Sequence, residues 1–311
     1  MKIVFLGNPE FSAAVLHKLV QSFKVDLVVT GADKKRGRGG AASASPLRAL
    51  AEKLSIPVIC TESVSKEKIE EIRALAPDIA VTAAFGQILS GNFLKIPKHG
   101  VLNVHASLLP KYRGSAPVQW ALINGETETG VTIMRTVRAV DAGDILLQKW
   151  LKIREGENAG ALLERLSELG GDAIVEALKL IEAGKAEYTP QNEAEATHFP
   201  MLKKEDGLID FNKTPKEISD FVRGMTPWPS AYTFAAGKLL KVLETEAVEL
   251  CASVASATVL TASPKEGLIV AARGGAVRLK TVQRENGKMM SGRDYLMGQK
   301  VEVGSILGNR P

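Results

Sequence analysis

Asn103 and His105 stand one residue apart at the end of an apolar, strand-like run, GVLNVH at 100–105. In an extended chain, residues i and i+2 point to the same side, so the amide and the imidazole can face one reacting atom. An amide N–H is an uncharged donor suited to an oxyanion that forms from a carbonyl. A neutral imidazole can move a proton near pH 7. The pair therefore predicts acid–base chemistry at a carbonyl carbon.

A catalytic imidazole also needs a group that sets its tautomer, and two carboxylates are candidates. Asp141 and Asp144 both lie in VDAGD, between the β-rich runs 129–137 and 144–153. The same segment is ordinary turn chemistry, so the residues leave open which carboxylate acts, or whether either does. The sequence shows neither a nucleophile elbow nor metal-ligand spacing. We expect direct acyl or formyl transfer to an amine of the substrate, without a metal.

A sheet must hold the Asn103–His105 pair in place. Apolar strands alternate with amphipathic helices, which predicts an α/β fold with a doubly wound, mostly parallel sheet. Such sheets carry their sites at the carboxyl ends of strands. Of the four histidines, His105 alone follows a strand of this kind. The predicted strands are 2–7, 25–31, 56–60, 78–84 and 100–105, and the predicted helices are 11–20, 46–54, 65–75, 117–125 and 158–183.

The chain changes character after the helix at 158–183. Residues 184–207 are polar and lack an apolar period, which is typical of a linker. A short helix at 214–224 and several short strands with Gly/Pro turns follow, which predicts a small β-barrel. We place the domain limits at 1–189 for the catalytic domain, 190–207 for the linker and 208–311 for the barrel.

Charge suggests a polyanionic partner. The 311-residue chain has a net charge of +5, yet residues 31–48 alone carry +4 and residues 264–311 carry +5, which leaves −4 for the rest. Clustered Lys and Arg displace counterions from a phosphate backbone, although each cluster alone could equally be a solvated surface.

Cysteine content and the first strand bear on the compartment. The two cysteines, Cys60 and Cys251, lie far apart, which fits a reducing cytosol. The apolar run in MKIVFLGNPE is too short for a signal peptide or a membrane span. We expect a cytoplasmic protein without a membrane partner.

A resemblance becomes specific at NVHASLLPKYRGSAPVQWALINGETETGVTIMRTVRAVDAGDIL, residues 103–146. This stretch resembles the 10-formyltetrahydrofolate-dependent formyltransferases. The resemblance implies a Rossmann-like catalytic domain in which Asn103, His105 and Asp141 form the catalytic set and 10-formyltetrahydrofolate is the co-substrate. It also implies that the folate is bordered by Ser107, Leu108, Leu109, Pro110, Phe85 and Gly86.

Two further segments resemble the members of this family that act on a tRNA. KKRGRGGAASASPLRALAEK (34–53) is similar to their basic loop, and LIDFNKTPKEISDFVRGMTPWPSAYT (208–233) is similar to the opening of their OB-like C-terminal barrel. The resemblance implies that a monomer formylates the α-amino group of methionyl-initiator tRNA. It also implies that Lys34, Lys35, Arg36 and Arg38 contact the RNA.

Two alternatives and two departures accompany this reading. A formyltransferase acting on a small amine or amino sugar would have no use for a basic loop and a basic barrel, and a non-catalytic RNA-binding module would not need the Asn–His–Asp set. His198-Phe199-Pro200-Met201 stands where the family usually has Tyr-Ala-x-Lys, so the cationic contact is either missing or supplied by Lys203 or Lys204. The first loop reads Gly-Asn-Pro where Gly-Thr-Pro is commoner.

Overall fold

The computed structural model describes residues 1–32, 34–35, 42–250 and 254–308. The chain divides into two compact units. Unit 1 comprises Met1–Pro117, Glu128–Lys152 and Leu163–Phe199, and unit 2 comprises Val118–Thr127, Ile153–Leu162 and Pro200–Pro311. The domain limits drawn from the sequence stay a prediction.

The described elements follow one another in this order: β1 (Ile3–Gly7), α1 (Glu10–Leu19), β2 (Leu27–Thr30), β3 (Lys34–Lys35), β4 (Ala42–Ser43), α2 (Pro46–Lys53), β5 (Val58–Cys60), α3 (Val64–Glu67), α4 (Ile69–Leu75), β6 (Ile79–Ala83), α5 (Gly91–Leu94), β7 (Val101–His105), β8 (Arg113–Gly114), α6 (Pro117–Ile123), β9 (Glu128–Arg135), β10 (Ile145–Lys152), α7 (Ala159–Glu182), β11 (His198–Phe199), α8 (Pro215–Met225), β12 (Ala231–Ala235), β13 (Lys238–Val248), β14 (Val259–Ser263), β15 (Gly267–Ala272), β16 (Gly275–Arg284), β17 (Met289–Ser291) and α9 (Gly292–Gly298). Two 3₁₀ turns, Glu193–Glu195 and Lys204–Gly207, complete the set.

Unit 1 is built on a seven-stranded sheet with the order β10-β9-β7-β6-β1-β2-β5. The five strands from β7 to β5 are parallel to one another. The strand β9 runs antiparallel to both of its neighbours, β7 and β10. Central strands such as β1 and β6 are buried along their whole length, since helices cover both faces. The predicted doubly wound, mostly parallel sheet is confirmed. The carboxyl ends of β6 and β7, at Ala83 and His105, therefore lie side by side.

One local prediction differs from the structure: the single helix predicted at 65–75 is two helices, α3 and α4, which meet at Lys68. Within the polar segment predicted as a linker, the structure adds β11, which pairs in parallel with β8. That order arises from backbone pairing and polar contacts, which leave no apolar period for a sequence pattern to reveal.

Unit 2 contains an antiparallel sheet of order β12-β13-β16-β15-β14, with β17 paired to β16. Residues 304–308 link its two edges, because Val259 N–H donates to the Ser305 carbonyl over 2.8 Å and Gly308 N–H donates to the Phe234 carbonyl over 3.0 Å. This closure agrees with the predicted small barrel. The helix α8 begins at a capping box in which Thr214 and Glu217 bond each other's backbone N–H groups. Among the described residues, no helix is both long enough and apolar enough to cross a membrane.

Candidate active site

The strand β7 places Asn103 and His105 near the edge where the parallel strands end. They are two positions apart on one strand, so their side chains leave it on the same side. On β6, Thr82 lies opposite Asn103, and its hydroxyl donates to Asn103 Oδ1 over 2.9 Å. The amide oxygen is thereby turned toward Thr82 and the amide N–H₂ away from it. That polarity is the one needed to bind an oxyanion.

A backbone carbonyl sets the tautomer of His105. The residue is 6% exposed, and its Nε2 lies 3.0 Å from the carbonyl oxygen of Tyr112. Because a carbonyl only accepts, Nε2 carries the proton of the neutral imidazole and Nδ1 is the basic nitrogen. Nδ1 lies 3.8 Å from Oδ1 of Asp141, too far for a hydrogen bond. At that distance the carboxylate faces Nδ1 without bonding to it.

The carboxylate of Asp141 is held in place by unit 1 itself. Its Oδ2 accepts the N–H of Gly114 over 2.9 Å. Its backbone has a positive φ of 52°, a conformation that Asp tolerates better than most residues. Of the two carboxylates that the sequence left open, the structure brings Asp141 to His105, whereas Asp144 accepts the N–H of Arg135 with its backbone carbonyl.

A glycine makes this turn possible. A Cβ on Gly143 would lie 1.7 Å from the carbonyl oxygen of Arg135, closer than any real contact. The Gly in VDAGD is therefore required by the approach of two backbone segments, in addition to its turn propensity.

The loop Ser107–Pro110 turns back over β9. The hydroxyl of Thr132 donates to the Ser107 carbonyl over 2.7 Å and accepts the Leu109 N–H over 3.1 Å. Ser107 and Leu109 are 0% and 3% exposed, while Leu108 and Pro110 are half-buried. The folate contacts assigned to these four residues stay predictions.

Asn8 links two neighbouring loops at the same sheet edge. Its Nδ2 donates to the Phe85 carbonyl over 2.6 Å, and its Oδ1 accepts the Gly31 N–H over 2.6 Å. Phe85 is buried in the core, and Gly86 turns the chain with a φ of 75°. Ile88, two residues later, is 89% exposed. The asparagine in Gly-Asn-Pro therefore does more than cap a loop, because it ties Phe85-Gly86 to the start of the basic segment.

The predicted RNA-contacting residues are described only in part. Lys34 and Lys35 form β3, whose backbone pairs with β4. Arg36 and Arg38 lie outside the described residues. The assignment of these four residues to RNA stays a prediction.

Sequence reasoning missed Thr82, Tyr112, Arg113 and Gln191. Thr82 left a signal, since it is a polar residue inside the apolar strand IAVTA. Arg113 left another, since it is a charged residue between a proline-containing loop and a glycine. In the structure it is 2% exposed. Tyr112 acts through its backbone, and Gln191 through contacts with residues distant in sequence, so neither had a local pattern. In the described part of the chain, no three His, Cys, Asp or Glu side chains are grouped as metal ligands.

Comparison with known proteins finds matches in both halves of the chain. The formyl transferase family model matches residues 1–178, and the model of the formyl transferase C-terminal domain matches residues 201–300. A methionyl-tRNA formyltransferase from Geotalea uraniireducens is 44% identical over 100% of this chain and 99% of its own length. Another from Caldanaerobacter subterraneus is 41% identical over 99% of this chain and 100% of its own.

Solved structures share the fold at lower identity. The N-formyltransferase from Helicobacter canadensis, in complex with folinic acid and dTDP-3-aminofucose, aligns with a TM-score of 0.69 at 19% identity, covering 92% of this chain and 100% of its own. HypX from Aquifex aeolicus in complex with tetrahydrofolic acid aligns with a TM-score of 0.64 at 18% identity, covering 98% of this chain and 50% of its own.

Proposed function

This chain belongs to the formyl transferase family, and from that premise we propose that it transfers the formyl group of 10-formyltetrahydrofolate to the α-amino group of methionyl-initiator tRNA. Relatives named methionyl-tRNA formyltransferase match it end to end at 41–45% identity. The alternative acceptor, a small amine or amino sugar, has support only from a fold shared at 19% identity.

The catalytic roles follow from the orientation of His105. The bound folate supplies the formyl carbon, and the exposed Ile88 and half-buried Leu108 offer apolar surface beside the site. Asn103 donates its amide N–H to the oxyanion that forms when the amine attacks. His105 Nδ1 accepts the proton that the attacking nitrogen loses, and returns it to the departing folate nitrogen. Asp141 stabilises the imidazolium between these two steps.

One observation carries this assignment: in the described part of the chain, the His105 ring makes a single hydrogen bond, from Nε2 to the Tyr112 carbonyl, while Nδ1 faces Asp141. Replacing Asn103 or His105 by Ala should abolish transfer, with folding and tRNA binding retained. The assay is N-formylmethionine formed on charged initiator tRNA, with circular dichroism and a tRNA-binding measurement as controls. Normal turnover in either variant would contradict the roles. Formylation of an amino sugar with no turnover of tRNA would support the alternative acceptor.

The RNA contacts come from the two basic segments. Where binding depends on phosphate contacts, the logarithm of the binding constant falls linearly with the logarithm of the salt concentration. The slope scales with the number of those contacts. Replacing Arg38 by Ala should lower kcat/KM for tRNA and reduce its salt dependence. Replacing Lys66, an exposed lysine on α3, by Ala is the matched control and should change neither. An unchanged salt slope in the Arg38 variant would remove that residue from the interface.

We also propose that the protein is a cytoplasmic monomer whose domains are 1–189 and 208–311, joined by 190–207. Sedimentation velocity should give the mass of one 33.3 kDa chain. A dimer at assay concentration would contradict this.

A further inference from the structure

The segment Thr189–Phe199, which we call the connecting segment, is anchored to unit 1 at both ends. At its start, Thr189 and Ile145 exchange backbone hydrogen bonds of 2.8 Å each. At its end, β11 pairs with β8. Between these anchors it contacts the residues that hold His105 and Asp141.

Gln191 clamps the turn that carries Asp141. Its Nε2 donates to the carbonyl oxygens of Asp141 and Gly143, each over 2.8 Å. Its Oε1 accepts from Arg113, from Nε over 3.1 Å and from Nη2 over 2.8 Å. Because a guanidinium only donates, the amide oxygen must face Arg113 and the amide nitrogen must face the turn. The orientation of Gln191 is thus fixed by its partners.

Arg113 is itself fixed by an ion pair with Glu193, a residue of the connecting segment. It is 2% exposed and donates from Nη1 and Nη2 to the two carboxylate oxygens of Glu193, over 2.9 and 2.7 Å. These hydrogen bonds lower the pKa of the Glu193 carboxyl below its ordinary value. A bidentate pair of this kind is geometrically specific, so Arg113 presents a rigid donor to Gln191.

The other end of the connecting segment supports His105. The N–H of Tyr112 donates to Thr197 Oγ1 over 2.8 Å, and the rings of Tyr112 and Phe199 stack with centroids 5.1 Å apart. Tyr112 supplies the carbonyl that sets the tautomer of His105. The backbone pairing of β11 with β8 also places Gly114, whose N–H binds Asp141.

We propose that the connecting segment is a positioning element for the His105–Asp141 pair, and that Gln191 is the positioning residue for Asp141. The inference rests on the proposed function. When both donors of Gln191 are lost, the turn with its positive φ is free to relax, and the Asp141 carboxylate moves relative to Nδ1. The imidazolium is then less stabilised during proton transfer, while substrate binding is unaffected.

The test uses Gln191→Glu in the full-length protein. A carboxylate at this position keeps the acceptors for Arg113 but replaces the donors to both carbonyls by an acceptor. The single-turnover rate of formyl transfer should fall by about tenfold or more, because the turn that carries Asp141 loses both hydrogen bonds from Gln191. KM for folate and for tRNA should stay within about twofold. Gln191→Leu, which also removes the acceptor, should show the same rate loss with a lower unfolding temperature.

Asn192→Ala is the matched control. Asn192 lies in the same segment and caps its 3₁₀ turn by accepting the Ala194 N–H over 3.1 Å, but among the described residues it makes no hydrogen bond with His105 or Asp141. Its rate should stay within about twofold of wild type. A wild-type rate in Gln191→Glu, or a loss expressed in KM alone, would overturn the inference. Failure of the wild-type protein to formylate charged initiator tRNA would instead refute the proposed function, so the two failures are distinguishable.

Discussion

Replacing Thr82 by Val tests how the amide of Asn103 is oriented. Thr82 is 6% exposed, and its one hydroxyl proton has two acceptors, Asn103 Oδ1 at 2.9 Å and the Leu102 carbonyl at 3.2 Å. Valine keeps the shape and removes the donor. A neutral hydrogen bond contributes about 0.5–1.5 kcal/mol net. At about 1.36 kcal/mol per tenfold change in rate, formyl transfer should slow by about two- to twelvefold.

The comparison with Asn103→Ala gives the prediction its scale. Removing an oxyanion donor altogether costs about 10²–10³ in kcat, so loss of its orientation alone should cost less. Single-turnover rates of wild type, Thr82→Val and Thr82→Ser are the assay, and the serine variant should stay near wild type because it retains the hydroxyl. If Thr82→Val transfers formyl at the wild-type rate while Asn103→Ala is inactive, the hydrogen bond does not orient the amide and the reasoning is refuted.

Three further predictions concern the turn, the cap and the barrel. Gly143→Ala should lower the unfolding free energy by about 1–3 kcal/mol and slow transfer, because its Cβ would meet the Arg135 carbonyl at 1.7 Å; wild-type stability and rate together would contradict this. Hydrogen bonds from the backbone and side chain of Thr214 lower the pKa of Glu217 from 4.5 to about 2, so its carboxylate stabilises unit 2 above pH 4.5 and loses that contribution as the pH falls toward 2. Glu217→Gln should therefore flatten the acid decline of the unfolding temperature over that window, and parallel declines would exclude the effect. Thr233→Val should leave the free energy of unfolding unchanged or raise it by up to about 1 kcal/mol, since that hydroxyl is buried with no hydrogen-bond partner in the described part of the chain. A clear loss of stability on thermal unfolding would contradict this.

Much of the fold was predictable because local pattern and tertiary environment agree. Apolar runs such as IVFLG and IAVTA are buried on both faces in β1 and β6, and alternation with helices favours a parallel sheet. The sequence pattern missed order that does not depend on apolar spacing. The polar stretch ending in His198-Phe199 pairs its backbone with β8, and a break at Lys68 divides one predicted helix into two.

The candidate site divides in the same way. Asn103 and His105 were predictable as a pair, because one strand carries both and a strand has a period of two. Residue types and spacing left Asp141 and Asp144 both open; the family resemblance implied Asp141, and the structure places its Oδ1 3.8 Å from His105 Nδ1. The partners that orient the site are invisible to a local pattern, because Tyr112 acts through its carbonyl and Gln191 reaches Asp141 across 50 positions.

The sequence by itself determined the chemistry available and the sheet that carries it: an amide and an imidazole at the carboxyl end of a buried strand, with basic segments suited to RNA. Only the tertiary structure decided which nitrogen of His105 bonds a carbonyl, how far the Asp141 carboxylate lies from the other nitrogen, and that Gln191 hydrogen-bonds the turn around Asp141. The physical reason is the distance along the chain over which each effect acts. Residue type and spacing act over one turn or one strand, whereas a tautomer and a carboxylate position are set by donors and acceptors that only folding brings within 3 to 4 Å.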